Sequence, residues 1–351
     1  MIGKLKLLLL FIFVLPLVNA FGQDIHFTYF EFAPQSINPA LNGLFAGSYR
    51  VSGMYRDQYQ NSGVQGFSTI EAGIDVPVIR GIRKQDWVGA GFSFDRDSRG
   101  LYKFSDTYSR MGLTYHLSLD KNQTRIFSIG AQRTGVSRRI NVPTGTDITN
   151  ILLNGNRTDP DIVRLQQSAV SGQGGGSGAP AVEKSYGDWV GGLSFTNRTK
   201  QGQLILGAAF AHFLKENAAF QNNYNVPMRI TAFATYEGSI NRQMSIEPGL
   251  IIQSQGSGFE ASGHFVAGYK LKAEKPLVLK AGLGARTGTV SAQVLLGAEY
   301  KSIKAGFAYD IPLSGYANAS GIQNAIEFGV SYIGIIKKTP KPDPIITCPR
   351  L

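Results

Sequence analysis

Apolar and polar residues alternate with a period of two along most of the chain, which is the pattern of β-strands that separate two environments. Near the C-terminal end, Ile326, Phe328, Val330 and Tyr332 fall on one face of such a strand, and charged or small residues fall on the other. A helical period of about 3.6 residues is hard to find anywhere in the body of the chain. The pattern therefore predicts an all-β protein.

Three further segments, 111–119, 259–269 and 277–283, also place their apolar residues on one face. Such a face points inward in a soluble sandwich and toward lipid in a membrane barrel. Many candidate strands run roughly 10–16 residues, which exceeds the usual ~5–6 of soluble strands and suffices for the ~9–11 tilted residues that cross a bilayer. An open edge would leave unpaired amides in hydrocarbon, so the sheet is expected to close.

We predict a closed antiparallel transmembrane β-barrel of about 14 strands, within a range of roughly 12–16. An even count places both termini on the periplasmic side, as in bacterial barrels. The longest irregular connection, 141–186, then falls on the outer side, and its glycine- and serine-rich run is typical of a flexible loop. The candidate strands are 45–58, 65–77, 86–97, 104–119, 123–140, 187–199, 201–214, 226–239, 241–254, 257–271, 276–287, 289–301, 303–312 and 321–336.

The N-terminus has the three-part layout of a secretory signal peptide. Lys4 and Lys6 form a short basic region, and an apolar core covers residues 7–17. Cleavage could follow either Ala20 or Gly22, and the second position is favoured. The apolar core is too short to span a bilayer comfortably, and no run of about 18 apolar residues follows it. We therefore expect an exported protein without a transmembrane helix.

The expected organisation has four parts. A signal peptide covers 1–22, a periplasmic N-terminal segment covers 23–43, the barrel covers 44–337, and a proline-rich periplasmic tail covers 338–351. The prolines of the tail predict an extended rather than helical chain. Export combined with a barrel predicts the bacterial outer membrane as the location.

The formal net charge is +11, but the basic residues are scattered rather than clustered. Neither a basic helix nor an aromatic–basic stripe is present, so the pattern does not favour nucleic acid as a partner. Outer-membrane lipid, through its phosphates, or an acidic cargo protein fits the charge better. With one cysteine in the chain, an intrachain disulfide is excluded.

Candidate chemistry is sparse. None of the histidines His26, His116, His212 and His264 lies at metal-ligand spacing from another, and Cys348 is distant in sequence. His116 and His264 fall on polar faces, which predicts that they point into the lumen. A Ser-His-acid site could assemble from distant strands, but the chain has no nucleophile elbow. We therefore predict a protein without enzymatic activity, metal or cofactor.

Both ends of the chain carry recognisable motifs. A Gln-Asp start at Gln23 leads into a tyrosine-containing stretch and then the Asn-Pro-Ala-Leu-Asn-Gly element of 38–43. The run Tyr-Arg-Asp-Gln-Tyr follows at 55–59, and the chain ends in Cys-Pro-Arg-Leu at 348–351. With these motifs the chain resembles the PorP/SprF family of Bacteroidetes outer-membrane proteins. It departs from the family in Tyr59, where tryptophan is usual, and in its longer 141–186 insertion.

The resemblance implies a non-enzymatic role in type IX secretion. Family members bind secreted cargo proteins, including the adhesins of gliding motility, through a C-terminal sorting domain, and they help to export or anchor this cargo. Some associate with a periplasmic peptidoglycan-binding lipoprotein. The alternative is a transport barrel for small solutes or hydrophobic ligands, because one barrel fold hosts many functions.

The motif residues are the candidates for partner contacts: Asn38, Pro39, Cys348, Pro349 and Arg350. Pro39 lacks a backbone donor, and it restricts the residue before it to extended geometry. The element of 38–43 is therefore either a rigid turn that enters the first strand or a plug-like segment under the barrel. The proline-rich tail is either a disordered end or a docking strip for a periplasmic partner, and Cys348 is either a free thiol or an intermolecular link.

Overall fold

The computed structural model shows a closed barrel of fourteen antiparallel strands. It describes residues 26–58, 66–99, 104–141, 181–214, 217, 225–272, 275–288, 290–313 and 324–336. The predicted signal peptide, most of the 141–186 insertion and the predicted proline-rich periplasmic tail lie outside these residues. The strands are β1 (Tyr49–Gln58), β2 (Phe67–Arg80), β3 (Trp87–Arg99), β4 (Phe104–Ser118), β5 (Arg125–Asn141), β6 (Ala181–Arg198), β7 (Gly202–Ala211), β8 (Arg229–Ser239), β9 (Met244–Gln255), β10 (Gly258–Lys272), β11 (Lys275–Arg286), β12 (Ser291–Tyr300), β13 (Ile303–Pro312) and β14 (Ala325–Gly334).

Every predicted strand has its counterpart, so the predicted fold class is confirmed. Each strand pairs with its sequence neighbours, and β1 closes the barrel on β14, with Tyr49 opposite Gly334 and Gln58 opposite Ala325. The largest difference is at β6, which begins at Ala181 rather than near 187. The run Glu183-Lys184-Ser185 near its start is polar on both faces, so the apolar period that marks the other strands is interrupted there. Among the described residues, no helix is long and apolar enough to span a membrane.

The apolar faces point outward and the polar faces point into the lumen. On β14, Phe328 and Val330 are 53% and 49% exposed, whereas Glu327, the residue before Phe328, is 1% exposed. The same arrangement holds for β4, where Met111 and Leu113 are exposed. This inversion is that of a membrane barrel, in which lipid covers the apolar face.

The two rims of the barrel differ in their connections. We call the rim where β1 begins and β14 ends the near end, and the opposite rim the far end. Near-end connections are short, such as residues 199–201 between β6 and β7 and residues 301–302 between β12 and β13. The far end carries the longest connection, residues 142–180 between β5 and β6. Short connections on the side of the termini and longer ones opposite are typical of bacterial barrels.

The lipid-facing belt gives a test of the fold. Phe265 lies at the centre of β10 and is 51% exposed, and Leu271 lies on the same face one residue from the near end of the strand. We expect Phe265→Arg to lower the free energy of unfolding in lipid vesicles by about 2–4 kcal/mol and Leu271→Arg by about 0–1 kcal/mol. Equal effects of the two substitutions on the free energy of unfolding would contradict the placement of the belt.

Candidate functional site

The lumen holds a plug, which we define as residues 26–44. Phe27, Phe30, Ala33, Asn38 and Ala40 are all less than 5% exposed, and the plug shares an apolar cluster with the lumen-facing side chains. Its chain runs from the far half of the barrel to the near end, where the Ser48 amide donates to the Gly334 carbonyl at 2.8 Å. Of the two interpretations of the N-terminal element, the structure shows the plug, and it lies inside the barrel.

The plug contains only short helical turns, two of which begin with a proline. A four-residue helix, α1 (Pro34–Ile37), is followed by a 3-10 turn, Pro39–Leu41, and each begins with a proline at its first position. Proline suits this position because its missing amide would be unpaired there anyway. Asn38 between them has extended geometry and accepts a hydrogen bond from the Ala40 amide at 2.8 Å, which caps the second turn.

Asn38 also fastens the plug to the wall. Its amide nitrogen donates to the carbonyl of Leu193 on β6 at 2.9 Å and to that of Ala208 on β7 at 3.0 Å. The approach requires a bare backbone, because a Cβ on Gly192 would lie 2.0 Å from Asn38 Oδ1. Pro39 contributes its carbonyl, which accepts from the Thr114 hydroxyl. Asn38 and Pro39, two of the predicted partner-contact residues, are both buried, so any effect that they have on a partner would act through the plug.

The last residue of the Asn-Pro-Ala-Leu-Asn-Gly element, Gly43, is held by hydrogen bonds to Asp75 and Trp87. Gly43 has φ +74°, and a Cβ there would lie 2.8 Å from the Gly89 Cα, which explains the glycine. Its amide donates to Asp75 at 2.7 Å, and its carbonyl accepts from the Trp87 indole at 3.0 Å. Arg50 holds Asp75 in turn through two hydrogen bonds of 2.9 Å.

A buried charged network holds the other end of the plug. Arg56 of β1 pairs with Asp310 of β13 at 3.0 Å and with Glu327 of β14. Arg286 of β11 approaches the same Asp310 at 3.3 Å. Thr28 of the plug enters this network, since its amide donates to Glu327 at 2.8 Å and its hydroxyl donates to Asp310 at 2.9 Å. Buried charges persist only when they are paired and hydrogen-bonded, so the plug completes the network.

His26 lies beside this network, with its Nε2 4.0 Å from Glu260. Burial lowers the pKa of His26 to about 4, with Arg286 and Arg56 acting in the same direction and Glu260 and Asp310 opposing. The imidazole is therefore neutral at neutral pH when the plug is docked.

The other three histidines are also buried, and the prediction that His116 and His264 point into the lumen is confirmed. His116 contacts the Ser128 hydroxyl at 2.7 Å and the Asn42 carbonyl at 2.8 Å, and its ring stacks on Trp87 at 4.5 Å. Both His116 and Ser128 are 0% exposed, so this serine–histidine pair supports the plug. His264 contacts Glu31 of the plug at 3.0 Å, and His212 contacts Asp188 at 2.9 Å.

A cavity of about 520 Å³ lies between the plug and the barrel wall, close to the near end of the barrel. The plug lines it mainly with apolar side chains such as Phe30 and Phe32, and the strands line it with charged side chains, such as Lys280, and with apolar ones, such as Phe233 and Val266. Tyr29 also borders the cavity, and burial raises the pKa of its hydroxyl above the ordinary value, which keeps it protonated. The cavity thus combines apolar and charged lining residues, and its dimensions suit a small side chain or ligand.

Three glutamates of the barrel strands, Glu237, Glu247 and Glu299, place carboxylate oxygens within 4.8 Å of one another. Lys280 contacts Glu299 at 3.0 Å and also pairs with Glu247, and Lys304 contacts Glu237 at 2.8 Å. Two ammonium groups thus already neutralise most of the carboxylate charge. We interpret the cluster as an ion-pair network rather than a metal centre.

The remaining predicted contact residues, Cys348, Pro349 and Arg350, lie outside the described residues. Sequence reasoning did not identify the Arg56 network, although a signal exists. Arg56, Asp310 and Glu327 lie on the polar faces of three strands that become neighbours once β1 pairs with β14. Arg56 is directly opposite Glu327, and Asp310 lies two positions further along β13, so opposite charges close together on one face indicate a lumen ion-pair network.

The hydroxyl of Thr28 gives a test of plug docking. It donates to Asp310 and accepts from Arg286 at 2.9 Å and Gln293 at 3.2 Å. Thr28→Val leaves these buried groups short of a partner at a cost of ~1–3 kcal/mol. We expect hydrogen exchange of residues 26–44 to become about 5–150-fold faster. Thr235→Val, a lumen substitution at a side chain without an assigned hydrogen bond in the described structure, should leave exchange unchanged, and equal effects would contradict the docking role.

Plug docking should also depend on pH through His26. Its pKa is about 4 when docked and about 6.5 when free, so the undocked state binds the proton in this interval. The contribution of His26 to docking is fully present above pH ~6.5 and should be lost, by about 3 kcal/mol at most, as the pH falls toward 4. The measurement is the exchange protection of residues 26–44 after correction for intrinsic rates. His26→Gln should remove this part of the pH dependence, and an unchanged profile in that variant would contradict the assignment.

Comparisons with known proteins place the chain among membrane components of a secretion system. A family model described as "Type IX secretion system membrane protein PorP/SprF" matches residues 19–332. No curated protein matches the chain.

Similar solved structures are outer-membrane barrels. The CymD monoaromatic hydrocarbon channel is 9% identical, with 86% of this chain and 92% of that chain covered and a TM-score of 0.48. The toluene transporter TbuX of Ralstonia pickettii is 11% identical, with coverages of 84% and 91% and a TM-score of 0.46. The toluene transporter TodX of P. putida is 13% identical, with coverages of 86% and 93% and a TM-score of 0.43. Likeness at this level carries no ligand over to this chain.

Proposed function

We propose, from the premise that the chain belongs to the type IX secretion system membrane protein PorP/SprF family, that this barrel is a docking component for secreted cargo. As a barrel of a secretion-system membrane family, it is an outer-membrane protein. In the proposed role it binds cargo proteins, such as gliding adhesins, through their C-terminal sorting domain. It helps to export them or anchors them at the cell surface, without enzymatic activity.

The observation that carries this proposal is the plug. Residues 26–44 occupy the lumen and are held at both ends, by Thr28 in the Arg56 network and by Gly43 on Asp75. A lumen filled by an anchored segment favours a barrel that presents surfaces over one that passes solutes. The surfaces available to a partner are then the two rims.

The two rims suit different partners in this proposal. The far end carries the longest connection and is the proposed side for cargo, since the termini of bacterial barrels are periplasmic. The near end carries the cavity and the last described residue before the tail, Ile336, and it is the proposed side for a periplasmic peptidoglycan-binding lipoprotein. The plug runs between the two.

Site-specific photo-crosslinking tests the assignment of the rims. A crosslinking amino acid is placed at Leu214, at the far end, or at Ile240, at the near end, which are 53% and 61% exposed. We expect a tagged cargo protein with a sorting domain to form adducts from Leu214 and not from Ile240. Adducts from Ile240 alone would contradict the proposed side.

A deletion strain tests the role itself. Loss of the chain should abolish surface display of its cargo while the cargo accumulates inside the cell, and the wild-type gene should restore display. Normal display without the chain would refute the proposal. Steady ion conductance or hydrocarbon uptake by the purified wild-type barrel, together with normal display in the deletion strain, would instead support the transport alternative.

A further inference from the structure

An arginine stands on the lipid-facing surface of the barrel, where its charge has no carboxylate partner among the described residues. Arg133 is an exposed residue of β5, and its outward direction follows from the alternation with the buried Gln132 and Thr134. Its guanidinium lies over the ring of Trp189 on β6, 5.5 Å from the centroid. This cation–π contact orients the guanidinium, but within the described part of the chain no carboxylate neutralises its positive charge.

The strand register puts Arg133 at the edge of the apolar belt. Its neighbours across β4 and β6 are Met111 and Trp189. Toward the far end, the outward residues of the same strands turn polar, with Ser109 on β4 and Ser137 on β5. An arginine beside a tryptophan at such a boundary occupies the level of the lipid headgroups.

Below this arginine, toward the near end, the outer surface is grooved. The row at the height of Arg133 is formed by large side chains, whereas the next row has small residues, Ala131 and Gly191, on β5 and β6, and the exposed Leu113 on β4 beside them. A Cβ on Gly191 would meet nothing within 4 Å, so the space beneath Trp189 is open. The groove has a volume of about 580 Å³, and apart from Arg133 all its lining residues are apolar or small.

We propose that this groove is a binding site for an anionic, phosphate-bearing lipid of the surrounding membrane. One acyl chain lies in the groove over Ala131, between Leu113 and Trp189, and the phosphate accepts hydrogen bonds from Arg133. The planar guanidinium offers paired donors that match phosphate geometry. The apolar groove alone would accept any acyl chain, so Arg133 supplies the preference for an anionic headgroup.

Tryptophan quenching by brominated lipids tests the site, since the chain has two tryptophans and Trp87 is buried at 8% exposure while Trp189 is 43% exposed. The full-length barrel is reconstituted in vesicles that contain either brominated phosphatidylglycerol or brominated phosphatidylcholine at equal fraction. A Trp189→Phe variant gives the Trp87 background to subtract. We expect the anionic lipid to quench Trp189 more strongly than the zwitterionic one.

Three variants separate the parts of the site. Arg133→Gln should weaken the apparent affinity for the anionic lipid about tenfold, which corresponds to ~1.4 kcal/mol, and should make the two lipids equivalent. Ala131→Leu fills the groove beside Trp189 and should reduce quenching by both lipids. Arg139→Gln, an exposed outward arginine of β5 away from the groove, is the control and should behave as wild type. Equal quenching by the two lipids in the wild type, or a retained preference in Arg133→Gln, would overturn the proposal.

Discussion

Backbone amides that face hydrocarbon find no water to bond, so the first and last strands of a membrane sheet have to pair with each other. Here ten residue pairs between β1 and β14 make that closure. The same closure brings Arg56 of β1 opposite Glu327 of β14 on the lumen side. The pairing that satisfies the membrane therefore also creates the central ion pair of the lumen, and the plug's binding site depends on it.

The plug solves a second problem that the closed sheet creates. A barrel with a polar interior holds buried charges that need partners, and a peptide that enters the lumen buries amides with the same need. Each supplies the other: the Thr28 amide bonds to Glu327, the Gly43 amide bonds to Asp75, and the Asn38 side chain bonds to wall carbonyls. Removing either side would leave buried polar groups unpaired, which costs more than a typical hydrogen bond contributes.

The strands were predictable from sequence because lipid on one side and a lumen on the other impose a strict period of two, as on Phe328 and Glu327. At residues 183–185 of β6 both faces are polar, the apolar period is interrupted, and the prediction began the strand late. The plug was harder to predict because its contacts are set by tertiary approach rather than periodicity. Asn38 and Pro39 showed that the segment is rigid, but the carbonyls of Leu193 and Ala208 that bind it are 155 and 170 residues away.

The plug also gives the two rims a physical connection. Thr28 is bonded into the Arg56 network in the far half, and the next residue, Tyr29, already borders the near-end cavity. A ligand in that cavity can shift the plug only to the extent that it prefers one plug arrangement over another. If it does, and a partner at the far rim also prefers one plug arrangement, linkage requires that the ligand and the partner change each other's affinity by the same factor. Because the buried network costs free energy to open, such coupling would be carried by discrete docked and undocked states rather than by gradual deformation.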